Sequence, residues 1–496
     1  MRTAGVMCVF LSTILDVSVF AGTVYEANSG DDIETMIATL APGDTLVLHG
    51  GVYNCGMVRI IGVQGTSSAW ITIRAADGET PILDGQWGPV NVLDIDSSAY
   101  IQIEGLEIRY ADDGIKFSLN PSHHFIIEDC YIHDVASVGV NAQTSDTGYV
   151  EVIRCEIANC GSCGCYWGRP DGVSPMHHSR LAQCYVHDCG NSTTGYGIEI
   201  KMPGYANVIE DNVFHHVAGS SRAGIAVYYT DRGDADDNIV RRNVIWNVPR
   251  YSNSTTTPGI WSCSDARVEN NIVFNSGMGF HTNIYGGHII QDLKVINNTF
   301  YNCASQGLYM APATNCIAYN NAVYGCVIET DATWTCGGNL ESMSSAGVFE
   351  STTFGNANFL YPAASGPLVD TGDAGHYPAD DFNGLARPHG SYPDVGAYEY
   401  MGTPNPGWTI SGGQKPPPGT EYLAPTVSVA FMKFTAVASD NMSLGPQFWI
   451  DGTEYPMVGG TFNSQFLAVI DGQTFVLSVK DASGNTRVVD LTVDIH

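Results

Sequence analysis

The sequence predicts an all-β chain, a parallel solenoid followed by a small antiparallel β-sandwich. Three observations carry that prediction: a ladder of turn residues at nearly constant spacing, a second ladder of glycines that open alternating strands, and a change of texture after residue 400. Composition agrees, because only 15% of residues are charged while glycine reaches 55. That balance suits tight turns and short strands better than long surface helices.

The turn ladder reads as a polar or Cys residue, any residue, an apolar one, then Asp, Asn or His. It recurs at Cys130, Cys155, Cys184, Asn212, Asn243, Asn271 and Asn298, with Asn321 extending it, at steps of 23 to 31 residues. Four residues beyond the first seven stand Asp134, Asn159, Asp188, His216, Asn247, Asn275 and Asn302. A repeat of this kind implies stacked coils of equal shape. The Asn and Cys side chains are therefore expected to stack in line and to be structural.

The glycine ladder is Gly114, Gly139, Gly197, Gly224, Gly259, Gly279 and Gly307. Two complete copies of its rule lie between Gly195 and Tyr229. In the first, Ile198 and Ile200 alternate with Glu199 and Lys201; in the second, Ile225 and Val227 alternate with Ala226 and Tyr228. Period two sends the apolar pair to a core and the other pair to an outer face. In register, Tyr228 lies beside Lys201 at about the 4.8 Å strand spacing. Two positions past each glycine the outer face carries Lys116, Asn141, Glu199, Ala226, Trp261, His281 and Tyr309. Rings and polar groups at that density suit a glycan groove, since rings stack on sugar faces while amides and charges bind hydroxyls and carboxylates.

At the ends, residues 1–21 read as a secretory signal, an apolar run after Met1 and Arg2 closing on Val19, Phe20 and Ala21. The mature chain is expected to be secreted, extracellular or periplasmic. Residues 401–425 contain PNPG and KPPPG, a semi-rigid linker, and 426–496 alternate in short runs between DG and SGN turns, as in a small antiparallel sandwich. With 21 basic against 51 acidic residues, the chain's field repels nucleic acid and anionic membranes. No membrane insertion is expected, and the protein is expected to act as a monomer on a polysaccharide partner. Thirteen cysteines follow Cys8, so at least one is unpaired. The ladder sets Cys160 beside Cys189 and Cys303 beside Cys326, within bridging range. Cys160, Cys163 and Cys165 lack the second cluster that a zinc site needs.

From Val24 to Tyr400 the chain resembles the right-handed parallel β-helix family that includes pectate lyases and chondroitinase B-like polysaccharide lyases. The resemblance rests on the coil ladder, on DDIETMIATL from Asp31, PGDTLVLHGGVY from Pro42 to Tyr53, ITIRAADGETPILDG from Ile71 to Gly85, and on YPDVGAYEY from Tyr392 to Tyr400, which looks like a closing strand. It implies a right-handed β-helix over 22–400 and a secreted lyase cleaving a uronate-containing polysaccharide by β-elimination. The tail resembles immunoglobulin-like modules appended to secreted bacterial enzymes. The same scaffold also serves hydrolases, epimerases and adhesins. The polygalacturonase NTD and GHG motifs and the epimerase Asp-Pro-His signature are missing from the sequence, leaving as alternatives a hydrolase built around Glu199 and Asp231 or a non-catalytic glycan binder.

PGYANVIEDN after Lys201 resembles the stretch that follows the catalytic lysine of several β-helix lyases. The expected assignment makes Lys201 the base and Tyr228 the acid, with Glu199, Trp261, His281, Tyr309, Asn141 and Lys116 binding substrate. A lysine base needs burial or nearby positive charge to lower its pKa; the bland alternative is a solvated lysine paired with Glu199. Lys201 is expected to be exposed, so that Lys201→Ala would leave the melting temperature almost unchanged. The loop TDRGDADD places Asp231, Asp234, Asp236 and Asp237 at the same end of the groove, a hard oxygen set suited to calcium. The pairs His123/His124, His177/His178 and His215/His216 are expected to fill turns.

Overall fold

The computed structural model describes residues 22–402, apart from 170–173, 220–221, 231–236, 251–253, 283, 285–286, 355 and 357, together with short strands between 430 and 492. The expected signal segment 1–21 and residues 403–425 of the expected linker lie outside the described residues.

Three parallel sheets form the solenoid. The chain visits them in rotation: the first sheet runs from Val24–Ala27 to Thr335–Gly337, the second from Gly51–Asn54 to Leu340–Ser342, and the third from Val58–Ile61 to Val327–Glu329. The Asp-led segment gives one short helix, Ile33–Ile37, capped by Asp32, whose carboxylate accepts from the Thr35 amide. Alternation puts Phe125, Ile127, Ile198, Ile200, Ile225 and Val227 into one continuous core.

The turn ladder is an amide ladder. Asn212 Nδ2 donates to Asn243 Oδ1 at 3.0 Å, Asn243 to Asn271 at 3.0 Å, Asn271 to Asn298 at 2.9 Å, Asn298 to Asn321 at 3.0 Å and Asn321 to Asn339 at 2.9 Å. Cys184 continues the line, its amide donating to Asn212 Oδ1 at 2.9 Å. Each Asn thus satisfies backbone and side-chain groups that burial would otherwise leave unpaired. The companion series from Asp134 to Asn302 sits at φ between 48° and 55°, a left-handed region that Asp, Asn and His tolerate best among residues with a Cβ. The glycine ladder has a different cause: a Cβ on Gly197 would meet Gly224 O at 2.7 Å, and one on Gly224 would meet Gly259 O at 2.7 Å.

Two expectations are corrected. Residues 392–400 are not a closing strand. Instead, segment 345–400 folds back over the outer face of the second sheet, where Phe349, Phe359, Phe382 and Tyr398 join Trp246, Phe274 and Tyr324 in a separate apolar cluster. Arg387 and Glu399, both fully buried, pair at 2.7 Å inside it, and Ala397 N donates to Thr299 Oγ1 at 2.9 Å. Second, Cys160 and Cys189 are neighbours, as are Cys303 and Cys326, but all thirteen are thiols; these four pack as small buried groups bonded to carbonyls, as Cys189 is to His187 O at 3.2 Å. Cys160 and Cys165 face the core whereas Cys163 lies in an outer cluster, so the three do not converge on one ion.

In the tail, Gln447–Ile450, Thr453–Tyr455, Thr474–Lys480 and Thr486–Thr492 form a four-stranded antiparallel sheet. Ala430–Met432 pairs antiparallel with Leu467–Val469 and Thr435–Val437 with Thr461–Asn463; the remaining residues of the expected sandwich lie outside the described residues.

Candidate active site

The outer face of the third sheet carries one row in strict register: Arg59, Asp94, Lys116, Asn141, Tyr166, Glu199, Ala226, Trp261, His281, Tyr309 and Glu329. Lys201 and Tyr228 occupy the next row, tied together where the Tyr228 amide donates to Ile200 O at 3.0 Å.

These positions converge on one carboxylate. Lys201 Nζ lies 2.7 Å from Glu199 Oε1 and donates to Tyr228 Oη at 2.9 Å; Tyr228 Oη donates to the same Glu199 oxygen at 2.8 Å. A second hydroxyl, Tyr196 Oη, lies 3.2 Å from Tyr228 Oη. The only hydroxyl proton of Tyr228 goes to Glu199, so Tyr196 donates to Tyr228. Around this group Tyr166, Met202 and Trp261 pack with Tyr196 and Tyr228, the Trp261 ring edge-on to Tyr228 at 4.6 Å. The expected exposure of Lys201 is therefore wrong: Lys201 is 9% exposed, Tyr228 4% and Glu199 2%. Neighbouring rings on the same face, not the core, bury them. Burial, then the Glu199 carboxylate, raises the phenols of Tyr228 and Tyr196 well above the ordinary tyrosine range. Cys263, next in the Lys201 row, is pushed up to about 12 by burial.

The remaining expected residues line the groove on either side without touching the carboxylate. Lys116 and Asn141 share Asp113, at 3.0 and 2.9 Å, three and two strands from Glu199, about 14 and 10 Å at the strand spacing. On the other side the His281 ring stacks on Tyr309 at 4.7 Å. Burial lowers His281 to about 4, which keeps it neutral, and its Nδ1 has no hydrogen-bond partner among the described residues. Of the expected calcium ligands, Asp231, Asp234 and Asp236 lie outside the described residues. Asp237 is buried with its carboxylate 3.3 Å from Lys294 Nζ, and the rest of the expected calcium site lies outside the described residues. A cleft of about 1000 Å³ lies elsewhere, at the corner holding His216, Asn247 and Asn302.

Two site residues escape the sequence reading. Tyr166 obeys the glycine rule from Gly164, whose Cβ would meet Gly197 O at 2.6 Å; extending the ladder to that coil finds it. Tyr196 breaks the rule. Period two places it inward with Ile198 and Ile200, yet it is the first residue of its strand, follows Gly195 at φ 135°, and turns into the outer cluster.

Fold and site together describe a parallel β-helix with Lys201, Tyr228 and Glu199 clustered in a polar, ring-lined groove. Residues 18–174 match the family model described as Pel9A-like, right handed beta helix region. Among solved structures, the pectate lyase Pel9A superposes with a TM-score of 0.50 at 15% identity, covering 76% of this chain and 96% of that one. An alginate lyase from Paenibacillus sp. str. FPU-7 gives 0.47 at 17% identity, covering 63% and 99%, and a GH87 alpha-1,3-glucanase catalytic domain gives 0.42 at 11%, covering 64% and 69%. A search of curated proteins finds no sequence match. At these identities the likeness to solved structures is one of fold, the right-handed parallel β-helix.

Proposed function

We propose that the chain is a secreted polysaccharide lyase that cleaves a uronate-containing polysaccharide by β-elimination, with Lys201 as base and Tyr228 as acid. The observation that supports this most is the mutual contact of Lys201 Nζ, Tyr228 Oη and Glu199 Oε1 at 2.7 to 2.9 Å on the outer face of the solenoid. Elimination needs a base for the proton beside the uronate carboxyl and an acid for the departing glycosidic oxygen.

Glu199 supplies what Lys201 lacks. An ammonium has no acceptor site, so Lys201 first passes a proton to Glu199, leaving a neutral amine beside a carboxylic acid. The amine takes the sugar proton, the bond to the glycosidic oxygen breaks, a carbon–carbon double bond forms, and Tyr228 gives its proton to the leaving oxygen. Lys201 then returns the captured proton to the Tyr228 oxygen across the 2.9 Å contact, and Glu199 returns its proton to Lys201 across 2.7 Å, which closes the cycle. Tyr196 donates to that oxygen while it carries charge. Trp261, His281 and Tyr309 hold the polymer on one side and Asn141 and Lys116 on the other.

A hydrolase is the rival that Glu199 itself suggests. Glycoside hydrolysis generally takes two carboxylates about 5 to 10 Å apart across the scissile bond. The row neighbours of Glu199 are Tyr166 and Ala226, so the described row provides one carboxylate there. Digestion of alginate, pectate, chondroitin and neutral glycans, followed by ultraviolet absorbance, separates the readings. Unsaturated ends from an acidic polymer are expected; reducing ends without that absorbance would replace lyase by hydrolase, and no product would leave a glycan binder.

A further inference from the structure

Trp87 is 61% exposed, in the loop between the second-sheet strand Pro81–Asp84 and the third-sheet strand Leu93–Asp96. Gln86 and Trp87 both sit at positive φ, 57° and 54°, a conformation that bulky residues keep only when their surroundings fix it. The surroundings do so. The Trp87 amide donates to Tyr110 O at 2.6 Å, the Gln86 amide donates to Asp84 Oδ1 at 2.8 Å, and the same Asp84 holds Arg109 at 3.1 Å. The indole stacks on the Tyr110 ring at 5.0 Å and 22°, and the Arg109 guanidinium lies 4.7 Å over that ring. One indole face is covered, so its exposed area belongs to the other face and the edge.

We propose that this indole is a second glycan-binding platform that grips the polysaccharide away from the site of cleavage. A flat apolar face rigidly held in water matches the C–H face of a pyranose ring, which one indole can cover. The flanking Gln86 and Asp112 are exposed, and Asp112 is tied to the loop through its amide to Val90 O at 2.9 Å; both suit sugar hydroxyls. A protein partner would need a broad apolar patch. The exposed apolar residues of nearby third-sheet strands, Ile61 and Leu119, lie instead at or beyond the opposite strand ends. The strand that follows Trp87 is four places from Tyr196–Ile200 in the third sheet, about 19 Å along the axis at the strand spacing. A polymer seated at Lys201 reaches Trp87 several sugar units away, and the two contacts reinforce each other through effective concentration.

The polymer identity rests on the lyase reading, but the test does not. Affinity electrophoresis of the full-length protein through gels containing alginate, polygalacturonate, chondroitin sulfate or xylan measures binding without turnover. At least one polymer should retard the wild type, and Trp87→Ala should weaken that binding about tenfold, the effect of about 1.4 kcal/mol. Trp87→Phe should keep most of it, Lys201→Ala should stay retarded, and the melting temperature of Trp87→Ala should match wild type. Equal retardation of Trp87→Ala and wild type, or of wild type by none of the four, overturns the platform. Lyase activity with no effect of Trp87→Ala on binding would sink this inference alone; retardation that depends on Trp87 without unsaturated product would sink the lyase reading alone.

Discussion

The outer faces of the second and third sheets are both rich in buried ionisable groups, yet they are built on opposite rules. On the second sheet the same unit recurs, with Ala158 on the rung between its two copies. His133 lies between Glu107 and Asp134 at 3.2 and 2.7 Å, and two coils later His187 lies between Glu156 and Asp188 at 3.1 and 2.8 Å. His187 stacks on His215 at 5.0 Å and His215 on Trp246 at 4.6 Å, and from Trp246 onward segment 345–400 packs on the row. Both ring nitrogens of His133 and His187 are matched within the fold. On the third sheet neighbouring rungs are unlike, Tyr166, Glu199, Ala226 and Trp261 in succession, and three functional groups crowd one carboxylate. In a solenoid, a recurring unit whose polar groups are all matched within the fold is support. The place where the repeat breaks down is where chemistry is to be sought.

The sharpest test of that contrast is Lys201→Ala. Activity should fall about 10²- to 10⁴-fold, and stability should fall as well, by about 3 kcal/mol, because Glu199 would keep a buried charge without its partner. Steady-state turnover and thermal unfolding check both; near-normal turnover would place Lys201 with the supports. Arg387→Met, which breaks the buried pair with Glu399 under the second sheet's cover, should cost about 3 to 5 kcal/mol while turnover well below the melting transition stays at the wild-type level. A parallel loss of turnover would mean that the cover shapes the groove. Tyr196→Phe should lower kcat about tenfold with KM unchanged, the size of one hydrogen bond worth about 1.4 kcal/mol.

The pH dependence separates the faces without touching activity. Burial pulls His187 down, but its bonds to Asp188 and Glu156 outweigh that and lift it to about 9. Its stabilisation is therefore complete below the unfolded value of about 6.5 and lost as pH rises through about 9. His215 is held near 3 by burial, then by the charge on His187; its contribution is present above about 6.5 and lost as pH falls. Melting temperature should drop on both sides, and His187→Gln should flatten the alkaline side. The smallest effect is expected from chelation: with Asp237 already matched by Lys294, EDTA should leave activity and melting temperature unchanged. A loss reversed by calcium would return the 231–237 loop to metal duty.

The alignment of Cys184, Asn212 and Asn243, and of Lys201 with Tyr228, is legible because register follows from spacing. Burial is not, since period two says which face a side chain takes but nothing about what else crowds that face; Lys201 is sheltered by Tyr166 and Met202, one from a coil without a counted glycine and one from beyond the strand. Tyr196 hides for a related reason, being at a strand rim where alternation is not yet enforced. The return of 345–400 leaves no periodic trace, because irregular segments pack by shape and not by repeat.

The amide ladder has a direction. Along five rungs from Asn212 to Asn339 the side-chain NH₂ points to the oxygen of the next coil, never the reverse. Five aligned amide dipoles in a dry interior polarise one another, as peptide units do along an α-helix. A middle rung is therefore strengthened from both sides and a terminal rung from one, so the interior should fray from its ends, beginning where Asn339 has no further amide acceptor in the line among the described residues.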